Sequence, residues 1–237
     1  RFTTTRKLLA KRFNAAGELQ GKAILVDTLN LINGGAGLGM DAAGNFVVAW
    51  EEVDGTHAVW AQRYSSGGNA VGADIQVSPA DSQGEPSVVM NSVGDFVVAW
   101  SSLARSFDAF GVPQGNLIDV GAEDHMGLTS VCMQPNGDFA LAWNAKPSNG
   151  SGSVFGQRFD AAGNAKEDAF LVNSTTIGEQ LSPTIDTDAS GNLTIVWNGE
   201  GQGEAVGIFG QRYSQVPDDN FPPVAHDDAY AVTEDVV

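Results

Sequence analysis

Cysteine is almost missing from this 237-residue chain: Cys132 is the only one, so no internal disulfide can form. It lies in the apolar run Leu128–Met133 and reads as a buried core residue, not a reactive thiol. Basic residues are also scarce, 12 against 29 acidic ones, giving a formal charge of −17. Such a surface repels nucleic acid and anionic lipid, which argues against both as partners. It suits an extracellular, salty or calcium-containing medium, where cations screen the repulsion. No apolar run is long enough to cross a bilayer, so no membrane insertion is expected. His57, His125 and His226 lie in separate segments without metal-ligand spacing. The GxSxG, HExxH, P-loop and CxxC motifs are absent. Adjacent acids such as Glu51–Glu52 and Glu123–Asp124 are ordinary in so acidic a chain. With no initiator Met and no signal peptide, the chain is expected to be a piece of a longer protein.

What the chain has is repetition. Gly44–Trp50 reads GNFVVAW and returns as GDFVVAW at Gly94–Trp100, GDFALAW at Gly137–Trp143 and GNLTIVW at Gly191–Trp197. Each copy opens on a Gly-Asn or Gly-Asp turn, runs through β-branched and aromatic residues and closes on Trp, as a strand leaving a tight hairpin does. In the first copy Phe46, Val48 and Trp50 share one face, and Val47 and Ala49 the other. Neither face is polar, so the strand is expected to be covered on both sides, with a heavy face and a light face in a stack of similar sheets.

A second element repeats in step with the first. Gln62-Arg63-Tyr64, Gln157-Arg158-Phe159 and Gln211-Arg212-Tyr213 share a pattern that Lys11-Arg12-Phe13 follows at the N-terminus. From Arg12 to Val26, Arg63 to Val77 and Arg158 to Val172 the distance is 14 positions each time, with Gly17, Gly68 and Gly163 five residues after the Arg. Such register marks a duplicated unit. Assembled, the unit has a short apolar strand, the Trp strand, the Gln-Arg strand and a fourth strand ending in valine. The Trp-to-Trp spacings are 50, 43 and 54 residues. Four strands in about 40–50 residues make a propeller blade. The expected fold is therefore all-β: a β-propeller of about four blades over residues 1–216, with a surplus N-terminal strand that begins a fifth. Ala23–Val26 is expected to complete the last blade, because Val216–Pro223 cannot. The second unit is degenerate, with Ala104–Phe110 where the Gln-Arg strand should stand.

Trp50, Trp100, Trp143 and Trp197 are expected to be core positions. Gln62, Arg63, Gln157, Arg158, Gln211 and Arg212 are read as structural, the Arg clamping blade to blade through an acid such as Glu85, Glu123, Asp124 or Glu179. Asp186, Asp188 and Ser190 place oxygens at alternate positions before Gly191, as an EF-hand loop begins, and are a candidate calcium site. The closing Glu of such a loop is replaced by Trp197, so a polar hairpin turn is the plainer reading.

These hairpin loops resemble the Asp-box of sialidase-type propellers, a structural motif that carries no catalytic residue with it. The segment Pro223–Asp235 resembles the opening of the cadherin-like and VCBS repeat domains of large secreted bacterial proteins. That resemblance implies that residues 217–237 are a linker and the first strand of a further domain, with Asp227 and Asp228, and Glu234 and Asp235, as calcium ligands at a domain junction. The blade repeat is similar to repeats found beside such domains in adhesins of the RTX type.

The combined expectation is a non-catalytic structural or adhesion module, secreted or at the cell surface. It would contact other protein subunits or surface glycans within a calcium-associated protein. The alternatives are a lectin-like carbohydrate-binding propeller and a sialidase-like glycoside hydrolase. A lectin would expose tryptophans in equivalent places, and Trp60 alone lies outside the core position.

Overall fold

A computed structural model of the chain describes residues 7–27, 35–52, 57–82, 84–121, 129–146, 150–174, 178–201, 204–214 and 224–226. Among them there is no helix, and the strands form one two-stranded and four four-stranded antiparallel sheets. The N-terminal sheet pairs β1 (Leu8–Ala10) with β2 (Ile24–Asp27). Blade 1 runs β3 (Ala36–Met40), β4 (Phe46–Glu52), β5 (Ala58–Tyr64), β6 (Ala70–Gln76). Blade 2 runs β7 (Ser87–Met90), β8 (Phe96–Trp100), β9 (Leu103–Phe107), β10 (Pro113–Asp119). Blade 3 is β11 (Ser130–Met133), β12 (Phe139–Ala145), β13 (Ser153–Phe159), β14 (Phe170–Leu171). Blade 4 is β15 (Gln180–Thr187), β16 (Leu193–Gly201), β17 (Glu204–Ser214), β18 (Val224–His226). The protein is an all-β propeller-type stack of blades.

Stacking explains why the Trp strands lack a polar face. The heavy face of β8 (Phe96, Val98, Trp100) packs on the light face of β4 (Val47, Ala49). Phe139, Leu141 and Trp143 pack on Val97 and Ala99 in the same way, and Leu193, Ile195 and Trp197 on Ala140 and Ala142. Phe46, Val48 and Trp50 meet Leu8, Ile24 and Val26 of the N-terminal sheet. Large side chains thus enter the space that small ones leave, so that each blade-to-blade layer is close-packed. Within a blade the aromatic that opens the Trp strand stacks on its cross-strand partner: Phe46 on Tyr64 at 4.9 Å, Phe96 on Phe107 at 4.8 Å, Phe139 on Phe159 at 5.2 Å.

Both hairpins at one end of blades 1 to 3, and the inner one of blade 4, use the same five-residue turn. In Asp41–Asn45 the Asp41 carboxylate accepts from the Asn45 amide N–H and side-chain N–H, both at 2.8 Å, and Gly44 takes φ +81°. Only glycine adopts that left-handed conformation at little cost, and this is why the repeat keeps a Gly there.

Two expectations change. Ala23–Val26 does not complete the last blade: Ile24–Asp27 pairs with Leu8–Ala10 in its own sheet. The fourth strand of blade 4 is Val224–His226, with Tyr213 opposite Ala225, inside the stretch expected to be linker and further domain. The rest of that stretch, 217–223 and 227–237, lies outside the described residues. The short spacing of the second unit also has a cause. Trp100 pairs with Leu103, so Ser101 and Ser102 alone join the second and third strands, with Ser101 at φ +44°.

Candidate functional site

Because the blades stack in one orientation, the array has a turn end and a Trp end. Interlocking consumes the turn end. The Arg12 guanidinium donates to the Ser66 carbonyl and that of Arg63 to the Ala109 carbonyl, each reaching the outer turn of the next blade. Within each of these blades the inner turn holds the outer one: Asn45 and Asp95 accept from the Ser66 and Ala109 amides at 3.0 and 2.9 Å. Arg158 instead turns back on its own blade and grips Glu167 at 2.8–3.0 Å. The clamp through an acid preceding the first strand is therefore corrected. A backbone carbonyl serves Arg12 and Arg63, Glu167 serves Arg158, and Glu179 lies 3.4 Å from Lys146. Glu123 and Asp124 lie outside the described residues. Gln62 donates to the Arg63 and Val71 carbonyls at 2.9 and 3.3 Å, and Gln157 to the Glu167 carbonyl at 2.8 Å. Gln211 is buried and Arg212 exposed.

The loop before β16 uses its oxygens internally. Asp188 accepts from the Ser190 amide at 2.9 Å, the Asn192 amide at 3.0 Å and the Asn192 side chain at 2.7 Å. The Asn192 side-chain bond is the main reason the Asp188 carboxyl sits below its usual range. Asp186 accepts from the Thr187 amide at 2.8 Å. Among the described residues no three His, Cys, Asp or Glu groups converge on a metal-sized site, and Asp227 and Asp228 lie outside them.

At the Trp end the four repeat tryptophans are buried, with exposures of 2%, 0%, 2% and 5% for Trp50, Trp100, Trp143 and Trp197. Their indole N–H groups have different fates. Trp100 Nε1 donates to Ser82 Oγ at 3.1 Å and Trp197 Nε1 to Gln180 Oε1 at 2.7 Å. Trp50 Nε1 is buried with no partner among the described residues, and so are Trp60 Nε1 and His57 Nδ1. Trp50 and Trp60 are cross-strand partners and His57 precedes β5, so all three residues belong to the Trp end of one hairpin. His57 is held at φ +46°. Beside them Glu51 is buried and Glu52 half-buried, while Trp60 keeps part of its ring exposed. A buried donor without an acceptor costs about 1–3 kcal/mol, and a cluster of them calls for an incoming acceptor. Indole faces with nearby donors and carboxylates are the chemistry that meets a polyhydroxylated ligand.

A second feature of this end lies on blade 4. Gln180 pairs with Gly199, which sets the neighbouring Glu179 and Glu200 opposite each other. Glu179 also accepts from the Gly152 amide at 3.0 Å, and Gln180 donates to the Glu200 carbonyl at 2.9 Å. Sequence reasoning missed this pair because 21 residues separate its members; only the strand register reveals it.

No protein-family profile matches the chain, and no curated protein matches it. Solved structures do. An ancestral GH74 enzyme aligns with a TM-score of 0.53 at 12% identity, over 84% of this chain and 28% of that one. An endo-arabinase from Bacteroides thetaiotaomicron aligns at 0.45 and 13% identity, over 84% of this chain and 81% of that one. An exo-1,5-alpha-L-arabinanase from a bovine ruminal metagenomic library aligns at 0.42 and 12%, over 79% and 75%. Identities this low establish fold alone. The expectation of a non-catalytic adhesion module is nonetheless corrected, because the fold it was read from is shared with an ancestral GH74 enzyme. The assignment as a non-enzyme is withdrawn with it.

Proposed function

We propose that this chain is a carbohydrate-active propeller that holds a glycan across its Trp end. The observation that carries the proposal is the group of three buried nitrogens without a partner among the described residues, Trp50 Nε1, Trp60 Nε1 and His57 Nδ1, on the hairpin that also carries Glu51 and Glu52. Sugar hydroxyls both donate and accept, so they can pair with these nitrogens, while the exposed part of Trp60 stacks on a ring's apolar face. The likeness in fold to a GH74 enzyme supports the same substrate class. Hydrolysis needs two carboxyl groups flanking the bond, one as acid and one as base or nucleophile. Glu179 and Glu200, opposite each other in strand register, are the acids we assign to those roles at this end.

The test incubates the chain with soluble arabinan and a panel of neutral polysaccharides, following both binding and the release of reducing ends. Glu179→Gln and Glu200→Gln are each expected to lower release at least about 100-fold while binding persists. Binding without release would remove the acid-pair role, and failure to bind any polysaccharide would overturn the proposal.

A further inference from the structure

Each repeat tryptophan is followed by a polar residue, and only in blade 1 is that residue charged: Glu51, against Ser101, Asn144 and Asn198. On β4, Glu51 continues the face of Val47 and Ala49, which blade 2 covers, while Trp50 lies on the other face. The junction of blades 1 and 2 leaves Glu51 only 8% exposed, yet its carboxylate has no hydrogen-bond or ion-pair partner among the described residues. Blade 2 sends a second acid to the same place. Ala36 pairs with Trp50, which sets Gly35 beside Glu51 on the neighbouring strand. The Glu85 carboxyl carbon lies 3.2 Å from the position that a Cβ on Gly35 would take, just as Pro86 and Val88 crowd that position on Gly37. Glu85 is exposed, and it too has no such partner among the described residues.

We propose that a divalent cation of the calcium class binds between Glu51 and Glu85 and ties blade 1 to blade 2. Two carboxylates from successive blades meet here without a counter-charge, and one of them is buried. Burying an ionised carboxylate is costly unless a cation pairs with it or a metal takes it as a ligand. Calcium accepts six to eight oxygens in irregular arrangements, so two acids on different strands can hold it while water fills the remaining positions. Magnesium asks for a near-ideal octahedron, which two side chains from separate sheets do not preset. With two charged ligands the expected affinity is weak, about 10⁻⁴–10⁻³ M, as in extracellular modules. The tie complements those already built: Arg63 joins the same two blades at the turn end, and the cation joins them at the Trp end. The site is also separate from the Asp186 loop on blade 4 and from the indoles of Trp50 and Trp60, which lie on the other face of blade 1.

Thermal unfolding of the full chain in EDTA and in millimolar calcium, at constant ionic strength, reads this out. A ligand that binds only the folded state raises the melting temperature, here by about 3–8 °C for the wild type. Magnesium at the same concentration is expected to do less. Glu51→Gln and Glu85→Gln are each expected to lose the calcium shift, while Asp186→Asn on blade 4 keeps it. In EDTA, Glu51→Gln is expected to melt no lower than the wild type, because it removes a buried charge without changing the shape. Glu85 is exposed, so Glu85→Gln supplies the reading even where Glu51→Gln does not fold. A wild type that ignores calcium overturns the proposal. So does a shift that both Gln variants keep in full, or one that Asp186→Asn abolishes. None of these readings involves glycan binding, so they stand or fall separately from the proposed function.

Discussion

Arg158 and Glu167 show how much one residue's surroundings decide. Their side chains are 10% and 5% exposed and share three hydrogen bonds, whereas Lys166 and Asp138, at 39% and 16%, share one at 2.7 Å. Removing one member of a buried pair strands the other in a poorly solvated site, while solvent takes over for an exposed pair. Glu167→Gln is expected to cost about 3–5 kcal/mol in urea unfolding and Asp138→Asn less than about 1 kcal/mol. Equal losses would refute the distinction. Cys132 gives a second prediction. Burial pushes its thiol from 9.0 up to about 12, so the neutral form is favoured in the folded chain. The sign follows from proton binding: between those values the unfolded chain loses the proton and the folded chain keeps it, so stability falls as pH rises. Below pH 9 this contribution is complete. Cys132→Ala should therefore lose less stability than the wild type between pH 8 and pH 10.5, by about 1 kcal/mol or more. Parallel losses would show that the thiol titrates normally.

At the scale of strands and hairpins, the heavy and light faces were legible because burial acts on alternate residues, and the positions of Phe46, Val48 and Trp50 hold large apolar residues in every unit. The turn glycines were legible for the same reason, since a left-handed position tolerates little else. What the sequence left open depended on pairing over distance. Nothing local says that Val224–His226 pairs with β17, or that Glu179 stands opposite Glu200 in register. Nor can a sequence say which indole finds a partner: Ser82 serves Trp100 and Gln180 serves Trp197, but these come from different positions relative to the repeat. The inner strands add a constraint of their own. A Cβ on Gly37 of β3 would lie 2.5 Å from the Pro86 carbonyl oxygen of the next blade. Gly37→Ala must push the two blades apart and is expected to cost about 1–3 kcal/mol. Leu38→Ala next to it, at 52% exposure, should fall within about 0.5 kcal/mol of the wild type. Thermal or urea unfolding of the two variants checks the contrast.

For the molecule as a whole, the stack divides labour between its ends. The turn end is occupied by its own arginines, carbonyls and Asx-type turns, and Arg63 and Arg12 have partners in the next blade. The Trp end keeps buried nitrogens at His57, Trp50 and Trp60 that have no partner among the described residues. Composition pointed away from nucleic acid and lipid, with −17 net charge, but it could not separate a glycan-binding propeller from one that only binds protein. The proposed glycan site rests on the nitrogens of His57, Trp50 and Trp60. The most direct measurement is calorimetric titration of soluble polysaccharide into the wild type, Trp60→Ala at the Trp end and Phe110→Ala, an 81% exposed residue in an outer turn at the other end. Wild type and Phe110→Ala should bind alike, with Trp60→Ala weaker by about 10-fold or more. Equal binding by all three, or no binding by the wild type, would contradict a glycan site at the Trp end.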